Sequence, residues 1–242
     1  MSADADPAAD RFFALVPCAG VGSRAGAAVP KQYVRLAGRA AVAHTLEALA
    51  GVSRLSGILV VLSADDRQFE TEVPSFHGAK AWVERCGGDT RAATVGAGLN
   101  ALRQRGVADN DWVLVHDAAR CLLRPEWVSR LISACEGDDV GGLLAWPVAD
   151  TLKESVGERV SATLSRSGKW MAQTPQMFRC GLLRRALAAA GESVTDESSA
   201  IEQLGLSPKL VQGSLENLKV TYPEDFPLAE RLLASRVPGD DS

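Results

Sequence analysis

The sequence has few residues of the kinds that form disulfides or bind metal ions. It contains five cysteines without a C-x-x-C pair, and an odd number of scattered cysteines is typical of reduced thiols rather than of a disulfide framework. The three histidines are also far apart, which gives little support for a zinc site. These residues are Cys18, Cys86, Cys121, Cys135 and Cys180, with His44, His77 and His116. Reduced thiols predict a cytoplasmic protein.

Long apolar runs and an excess of positive charge are also missing. No apolar stretch approaches the ~20 residues that span a bilayer, and the polar, acidic first residues do not resemble a signal peptide. With 26 basic and 30 acidic side chains the formal net charge is −4, which gives no general attraction to nucleic acid or to anionic membranes. We expect a soluble protein that binds neither, and in which any site for a polyanion is local.

The length of 242 residues and the 46% hydrophobic content suit one α/β domain with a full core. We expect that domain to cover residues 12–236. The polar ends, residues 1–11 and 237–242, are expected to be disordered tails.

Two common nucleotide-binding motifs are absent from the glycine-rich stretch at 12–33, which reads FFALVPCAGVGSRAGAAVPKQY. Gly20, Gly22 and Gly26 are spaced one residue too widely for the dinucleotide fingerprint, and no P-loop is present. An NAD-dependent enzyme and a P-loop ATPase are therefore disfavoured. Glycines let backbone amides approach an anion, and Arg24 and Lys31 add positive charge. The stretch predicts a phosphate-binding loop, although glycine-rich turns from strand to helix are also common without one.

Short apolar runs alternate with amphipathic segments along the chain, which predicts βαβ units and a mostly parallel sheet flanked by helices. We predict strands at 12–16, 58–62, 79–83, 112–115, 142–146 and near 210–211. We predict helices at 41–50, 91–105, 125–135, 182–190, 198–204 and 223–234. Ligands of such sheets bind outside the carboxyl ends of the strands.

Three polar segments follow predicted strands and should therefore meet at one rim. They are the glycine loop, Cys86–Asp89 and His116–Arg120. Asp117 could hydrogen-bond a ribose or approach a metal ion, or it could be a turn residue paired with Arg120. Asp89 and Thr94 are likewise candidates for ligand contact or for capping the helix that follows.

The periodicity ends after Pro147. Strand-like fragments within residues 148–170, with a turn around Val156-Gly157-Glu158, predict a two-stranded arm. Because an isolated hairpin is marginally stable, we expect this arm to pack on a partner subunit.

Five separated motifs together resemble one family. They are PCAGVGSR, PKQY, VHDAAR, TDESSA and NLKVTYPED, and GGDTRAATV, VADTLK and SRSGKWMAQTPQMF lie between them. In this order the set resembles the 2-C-methyl-D-erythritol 4-phosphate cytidylyltransferases over nearly the whole chain. The resemblance implies a Rossmann-like, glycosyltransferase-A-like nucleotidyltransferase fold. It also implies transfer of CMP from CTP to 2-C-methyl-D-erythritol 4-phosphate, with Mg²⁺ accompanying CTP and held mainly by its phosphates.

The resemblance also implies roles for individual residues. Arg24, Lys31, Arg166 and Lys219 correspond to the catalytic cations. The residues expected to bind CTP are Cys18, Ala19, Gly20, Gly22, Gly88, Asp89, Thr94 and Asp117. Those expected on the side of the second substrate are Asp117, Arg120, Thr151, Arg166, Thr174, Thr195 and Lys219. In the family the arm reaches the neighbouring subunit, so a homodimer is expected in which Thr151 and Arg166 serve the partner's site.

The chain departs from the family pattern at Cys18, Ala25 and Cys121, which alter packing beside the loops more than charge, while Thr94 keeps the hydroxyl of the more usual serine. It ends soon after its last predicted helix, so no fused cyclodiphosphate synthase is expected. Two other functions remain open. One is cytidylyl transfer to ribitol 5-phosphate, and the other is CTP binding without turnover by a regulatory protein.

Overall fold

The computed structural model describes residues 10–20, 30–191 and 194–236. The strands are β1 Phe12–Pro17, β2 Arg35–Leu36, β3 Arg39–Ala40, β4 Leu55–Val61, β5 Ala81–Glu84, β6 Trp112–Val115, β7 Gly141–Pro147, β8 Leu152–Val156, β9 Arg159–Leu164, β10 Trp170–Arg179 and β11 Lys209–Gln212. The helices are α1 Ala41–Ala50, α2 Phe69–Glu72, α3 Arg91–Gln104, α4 Pro125–Cys135, α5 Cys180–Ala190, α6 Glu197–Gln203 and α7 Asp225–Ala234, with a 3₁₀ helix at Lys31–Tyr33. Every predicted strand and helix is confirmed, with ends shifted by a few residues at most.

Seven strands form the central sheet in the order β11-β7-β10-β6-β1-β4-β5. Neighbouring strands are parallel except at β10, which runs antiparallel to both β6 and β7. The predicted mostly parallel sheet is confirmed. Its strands β1, β4 and β6 lie side by side, so their carboxyl ends meet at one edge.

The sheet is buried on both faces, and β1 shows why its sequence is continuously apolar. Ala14 and Val16 pack in the cluster that includes side chains of α1 and α4. Phe13 and Leu15 point the other way, into the cluster that includes side chains of α3 and α5. Fully burying a side chain such as Leu15 contributes about 2 kcal/mol relative to leaving it exposed. These contacts fix the strand from which the glycine loop departs.

The antiparallel strand β10, the small hairpin β2–β3, the short helix α2 and the 3₁₀ helix were not expected from the sequence. Strand β10 reads WMAQTPQMFR and has no apolar run. Its polar side chains are buried because they form hydrogen bonds inside the protein. Gln173 donates to the Ser214 carbonyl at 2.7 Å, and Gln176 donates to Asp196 at 2.8 Å.

The predicted two-stranded arm is present. Strands β8 and β9 form an antiparallel ribbon separate from the central sheet, and Gly157 in the turn has a φ of 58°, which favours glycine. Val156 and Val160 are 76% and 64% exposed. Packing of the arm on a partner stays a prediction.

The expected tail at 1–11 needs a correction at its end. Asp10 forms an ion pair with Arg179, and Arg11 forms one with Asp111, so these two residues are held on the domain by charge pairing. Residues 1–9 and 237–242 lie outside the described residues. Across the described part of the chain, no helix has the length and apolar character needed to cross a membrane.

Candidate active site

A cavity of about 740 Å³ lies at the carboxyl ends of β1, β4 and β6. All three polar segments predicted to meet at this rim contribute to it, together with residues from the 3₁₀ helix and from the segment before α7. Its lining residues are Pro17, Cys18, Ala19, Gly20, Lys31, Gln32, Ser63, Ala64, Asp65, Gly87, Gly88, Asp89, Thr90, Arg91, Thr94, Asp117, Ala118, Ala119, Lys219 and Thr221. Its volume suits a nucleotide-sized ligand.

The first loop is anchored by a residue whose role was not predicted from the sequence. Gln32 is 5% exposed, and its amide nitrogen lies 3.3 Å from the Cys18 carbonyl and 3.1 Å from the Gly20 carbonyl. These hydrogen bonds fix the positions of the Cys18 and Gly20 carbonyl groups. The neighbouring residue Lys31 lines the cavity. Gln32 stands within PKQY, but nothing in that pattern indicates the contact. Gly22 and Arg24 lie outside the described residues.

The second loop, at Gly87 and Gly88, is shaped by close backbone contacts. A Cβ on Gly87 would lie 2.3 Å from the Ala19 side chain and 2.7 Å from the Leu62 carbonyl oxygen, so only glycine fits there. The Thr94 hydroxyl accepts the Gly88 N–H at 3.2 Å and lies 2.9 Å from the Thr90 carbonyl. Thr94 therefore fixes the shape of this wall from a buried position.

Helix α3 starts from this loop and is capped by Thr90, whose hydroxyl accepts the Ala93 N–H at 3.1 Å. The alternative in which Asp89 or Thr94 caps the helix is therefore wrong. Asp89 is exposed at the cavity wall.

Asp117 carries the negative charge at the centre of the site. One of its oxygens lies 2.8 Å from Arg91 Nε, and the other lies 2.8 Å from Lys219 Nζ. Arg120 Nε is further away, at 3.9 Å, so pairing with Arg120 is not the main interaction. Burial alone would raise the pKa of Asp117, but the positive charges of Arg91, Lys219 and Arg120 outweigh it and hold that pKa far below its usual range. Asp117 is therefore ionised at neutral pH.

Arg91 was not predicted as a site residue, although it lines the cavity. Its two terminal nitrogens bind Glu197 at 2.6 and 2.9 Å, and the Glu197 side chain is only 1% exposed. Burial would lower the pKa of Arg91, but Glu197 and Asp117 raise it above its usual value. A bidentate arginine–carboxylate pair fixes the guanidinium in one orientation.

A chain of hydrogen bonds behind Asp117 places its backbone. The Thr174 hydroxyl accepts the Asp117 N–H at 3.1 Å, so its single hydrogen is available to His116 Nδ1 at 3.0 Å. His116 Nε2 then donates to the Arg120 carbonyl at 3.2 Å. Burial lowers the pKa of His116 to about 4, so the imidazole is neutral at pH 7. Thr174 acts here behind the cavity rather than in its lining.

Four other predicted substrate contacts are not among the residues that line this cavity. Arg120 is buried and donates to the carbonyls of Asn217 and Ala172. Thr195 is exposed beside α6. Thr151 and Arg166 are exposed at the base of the arm, where Arg166 donates to the Ala149 carbonyl. Their roles toward a substrate stay predictions.

The described residues do not include a preformed metal-binding cluster. Among them no three His, Cys, Asp or Glu side chains are grouped closely enough to hold an ion. Asp117 is the most buried carboxylate of the lining, and its two oxygens are taken by Arg91 and Lys219.

Comparison with known proteins places the chain in one family. The sequence profile described as IspD, 2-C-methyl-D-erythritol 4-phosphate cytidylyltransferase, matches residues 12–235. The 2-C-methyl-D-erythritol 4-phosphate cytidylyltransferase of Burkholderia cenocepacia strain HI2424 is 53% identical over 229 residues, which cover 93% of this chain and 96% of that protein. The bifunctional enzyme IspD/IspF of Albidiferax ferrireducens is 59% identical over 233 residues, 96% of this chain. The chain spans about half, 55%, of that longer relative.

The fold agrees with this match. A solved structure described as 4-diphosphocytidyl-2C-methyl-D-erythritol synthase has a TM-score of 0.83 and 41% identity, covering 93% of this chain and 99% of that one. The sequence match, the sheet order and the lining of the cavity lead to one conclusion: the chain belongs to the IspD family of 2-C-methyl-D-erythritol 4-phosphate cytidylyltransferases.

Proposed function

We propose that the cavity described above is where this chain transfers CMP from CTP to 2-C-methyl-D-erythritol 4-phosphate, giving 4-diphosphocytidyl-2-C-methyl-D-erythritol and pyrophosphate. The observation that carries the proposal is the convergence of Lys31, Asp117 and Lys219 on one cavity beside a glycine loop. These residues come from three separate motifs of the family. Their meeting is what a reaction between two phosphate-bearing substrates requires.

The reaction is an attack of the 4-phosphate of methylerythritol phosphate on the α-phosphorus of CTP. The attacking phosphate is already an anion, because its second pKa is near ~6, so no general base is needed. The barrier is electrostatic, since a dianion approaches a triphosphate and negative charge then builds on the departing pyrophosphate. Catalysis by positioned cations and backbone amides fits this requirement.

The CTP side of the cavity is formed by the two glycine loops. We assign Lys31, and Arg24 from outside the described residues, to neutralising the triphosphate and the transition state. Further backbone contacts with the phosphates are assigned to Cys18, Ala19, Gly20 and Gly22. Gly88, Asp89 and Thr94 are assigned to the cytosine and ribose. Because Gly87 packs directly on Ala19, the two loops form one continuous wall.

The side of the second substrate is assigned to Asp117 and Lys219, which lie 2.8 Å apart. Thr195 and Arg120 are proposed to assist from nearby, and Thr174 acts through the backbone of Asp117. Thr151 and Arg166 of the arm are proposed to complete the partner's site in a homodimer. The exposed valines of the arm support this, because isolated apolar ribbons are marginally stable alone.

Mg²⁺ is proposed to enter with CTP, and when bound it would offset part of the negative charge of the triphosphate. The carboxylates of Asp65, Asp89 and Asp117 in the lining support this, because Mg²⁺ prefers oxygen ligands. The protein is also proposed to work in the cytoplasm, because Cys18, Cys121, Cys135 and Cys180 are buried as free thiols.

The test is pyrophosphate release from CTP and Mg²⁺, with methylerythritol phosphate or ribitol 5-phosphate as the acceptor. We expect rapid release with methylerythritol phosphate alone, and a product with the mass of 4-diphosphocytidyl-methylerythritol. Release with ribitol 5-phosphate only would show that the chain is a ribitol-5-phosphate cytidylyltransferase. CTP binding without release on either acceptor would make it a regulatory protein.

A further inference from the structure

The proposed function gives roles to Asp117 and Lys219 but none to Glu197. Glu197 is the first residue of α6, it is absent from the cavity lining, and its side chain is 1% exposed. A carboxylate this deeply buried is costly unless a cation compensates it. Arg91 provides that compensation through two hydrogen bonds, at 2.6 and 2.9 Å.

The pair is oriented toward the cavity. Both terminal nitrogens of Arg91 are occupied by Glu197, which leaves Nε to bind Asp117 at 2.8 Å. The second oxygen of Asp117 binds Lys219 at 2.8 Å. Glu197 is the least exposed member of this row of alternating charges, at 1%, and Lys219 is the most exposed, at 37%, with Arg91 at 27% and Asp117 at 10% between them. Lys219 is thus the end that faces solvent and ligand.

We propose that Glu197 is a positioning residue, which locks Arg91 onto Asp117 and thereby sets how strongly Asp117 holds Lys219. This inference rests on the proposed function of the cavity. While Arg91 shares the charge of Asp117, Lys219 is free to exchange that carboxylate for a substrate phosphate. When Arg91 is released, Asp117 keeps Lys219 as its close partner, and the phosphate must compete with a stronger ion pair.

The neutral variant Glu197→Gln distinguishes a role in positioning Arg91 from a general loss of protein stability. It keeps the size of the side chain and removes the bidentate charge pair. We expect KM for methylerythritol phosphate to rise about tenfold or more, with KM for CTP changed less than threefold. The matched control is Glu202→Gln, an exposed glutamate on the same helix, which should leave both constants unchanged.

A double-mutant cycle shows whether the effect passes through Arg91. In an Arg91→Met background, Glu197→Gln should add little further loss, because the link is already broken. Equal and multiplicative effects in the two backgrounds would overturn the proposal, as would an unchanged KM in a folded Glu197→Gln protein. If Glu197→Gln does not fold, Glu197→Asp retains the charge but withdraws it by one methylene, and it must show the same selective rise in KM.

Calorimetric titration with methylerythritol phosphate gives a readout independent of turnover. The wild type and Glu202→Gln should bind it equally, and Glu197→Gln should bind it about tenfold more weakly. Absence of turnover in the wild type would count against the proposed function alone. Equal binding by the wild type and Glu197→Gln would overturn the role given to Glu197.

Discussion

At the scale of single residues, the site depends on one ionised carboxylate among several cations. Asp117 pairs closely with Arg91 and Lys219, and a third cation, Arg120, lies at 3.9 Å. The negative charge of Asp117 offsets the mutual repulsion of these cations. It also explains how a protein with net charge −4 can present a local site for polyanions.

His116 gives a prediction for the dependence of stability on pH. Burial lowers its folded-state pKa to about 4, below the ordinary value of 6.5, so the unfolded chain binds a proton in this range that the folded chain does not. The free energy of unfolding should therefore fall as the pH drops from about 6.5 to about 4, by up to about 3 kcal/mol.

Denaturant unfolding between pH 7.5 and 4.5 tests this. His116→Gln should flatten the pH dependence over that range, whereas His77→Gln, at an exposed histidine, should leave it unchanged. An unaltered slope in His116→Gln would show that another group controls the effect.

Thr94 gives a second prediction at this scale. Its hydroxyl holds the Gly88 amide and is itself buried, so Thr94→Val should loosen the second glycine loop. A lost buried hydrogen bond of about 1.4 kcal/mol corresponds to about a tenfold rise in KM for CTP. Thr94→Ser keeps the hydroxyl and should stay within about threefold of the wild type. Equal losses in both variants would assign the effect to the methyl group instead.

At the scale of elements, the arm is the part that we propose to act together with a second copy of the chain. Its strands β8 and β9 expose Val156, Val160 and Leu164 and pair with each other in a ribbon separate from the central sheet. Arg166 follows β9 and lies outside the cavity of its own chain. A contribution to the partner's cavity would account for both features.

Mixing two inactive variants tests that contribution. If Arg166 serves the partner, equal amounts of Arg166→Ala and Lys31→Ala chains should recover about a quarter of wild-type activity after subunit exchange. Half of the dimers would then be mixed, and each mixed dimer would contain one complete site. If Arg166 works in its own chain, no site in the mixture is complete and activity should not return.

The elements also show which parts of the structure can be predicted from sequence. Strand β1 can be predicted because it is a short, continuous apolar run. Helix α3 can be predicted because its apolar positions repeat with the period of a helix. Strand β10 does not, because Gln173 and Gln176 are buried through hydrogen bonds with residues distant in the sequence. The local sequence pattern does not indicate which distant residues will be hydrogen-bond partners.

The same limit applies to the site at the scale of the whole molecule. The rim was predictable, since ligands of parallel sheets bind at the carboxyl ends of the strands. Lys31 and Asp117 were candidates because they follow predicted strands, whereas Lys219 was found only through a family motif. Arg91 and Glu197 are 106 positions apart, and their pairing is apparent only in the fold, which brings the first residues of α3 and α6 together.

The central claim is that the cations around this one cavity perform cytidylyl transfer with separate tasks. The most direct measurement is kcat and KM for CTP and methylerythritol phosphate in Lys31→Ala and Lys219→Ala, with Lys209→Ala as a control on the edge strand. We predict that Lys31→Ala lowers kcat about 10²- to 10³-fold, that Lys219→Ala mainly raises KM for methylerythritol phosphate, and that Lys209→Ala resembles the wild type. Folded Lys31→Ala and Lys219→Ala proteins with wild-type kinetics would contradict the account and place the reaction elsewhere on the molecule.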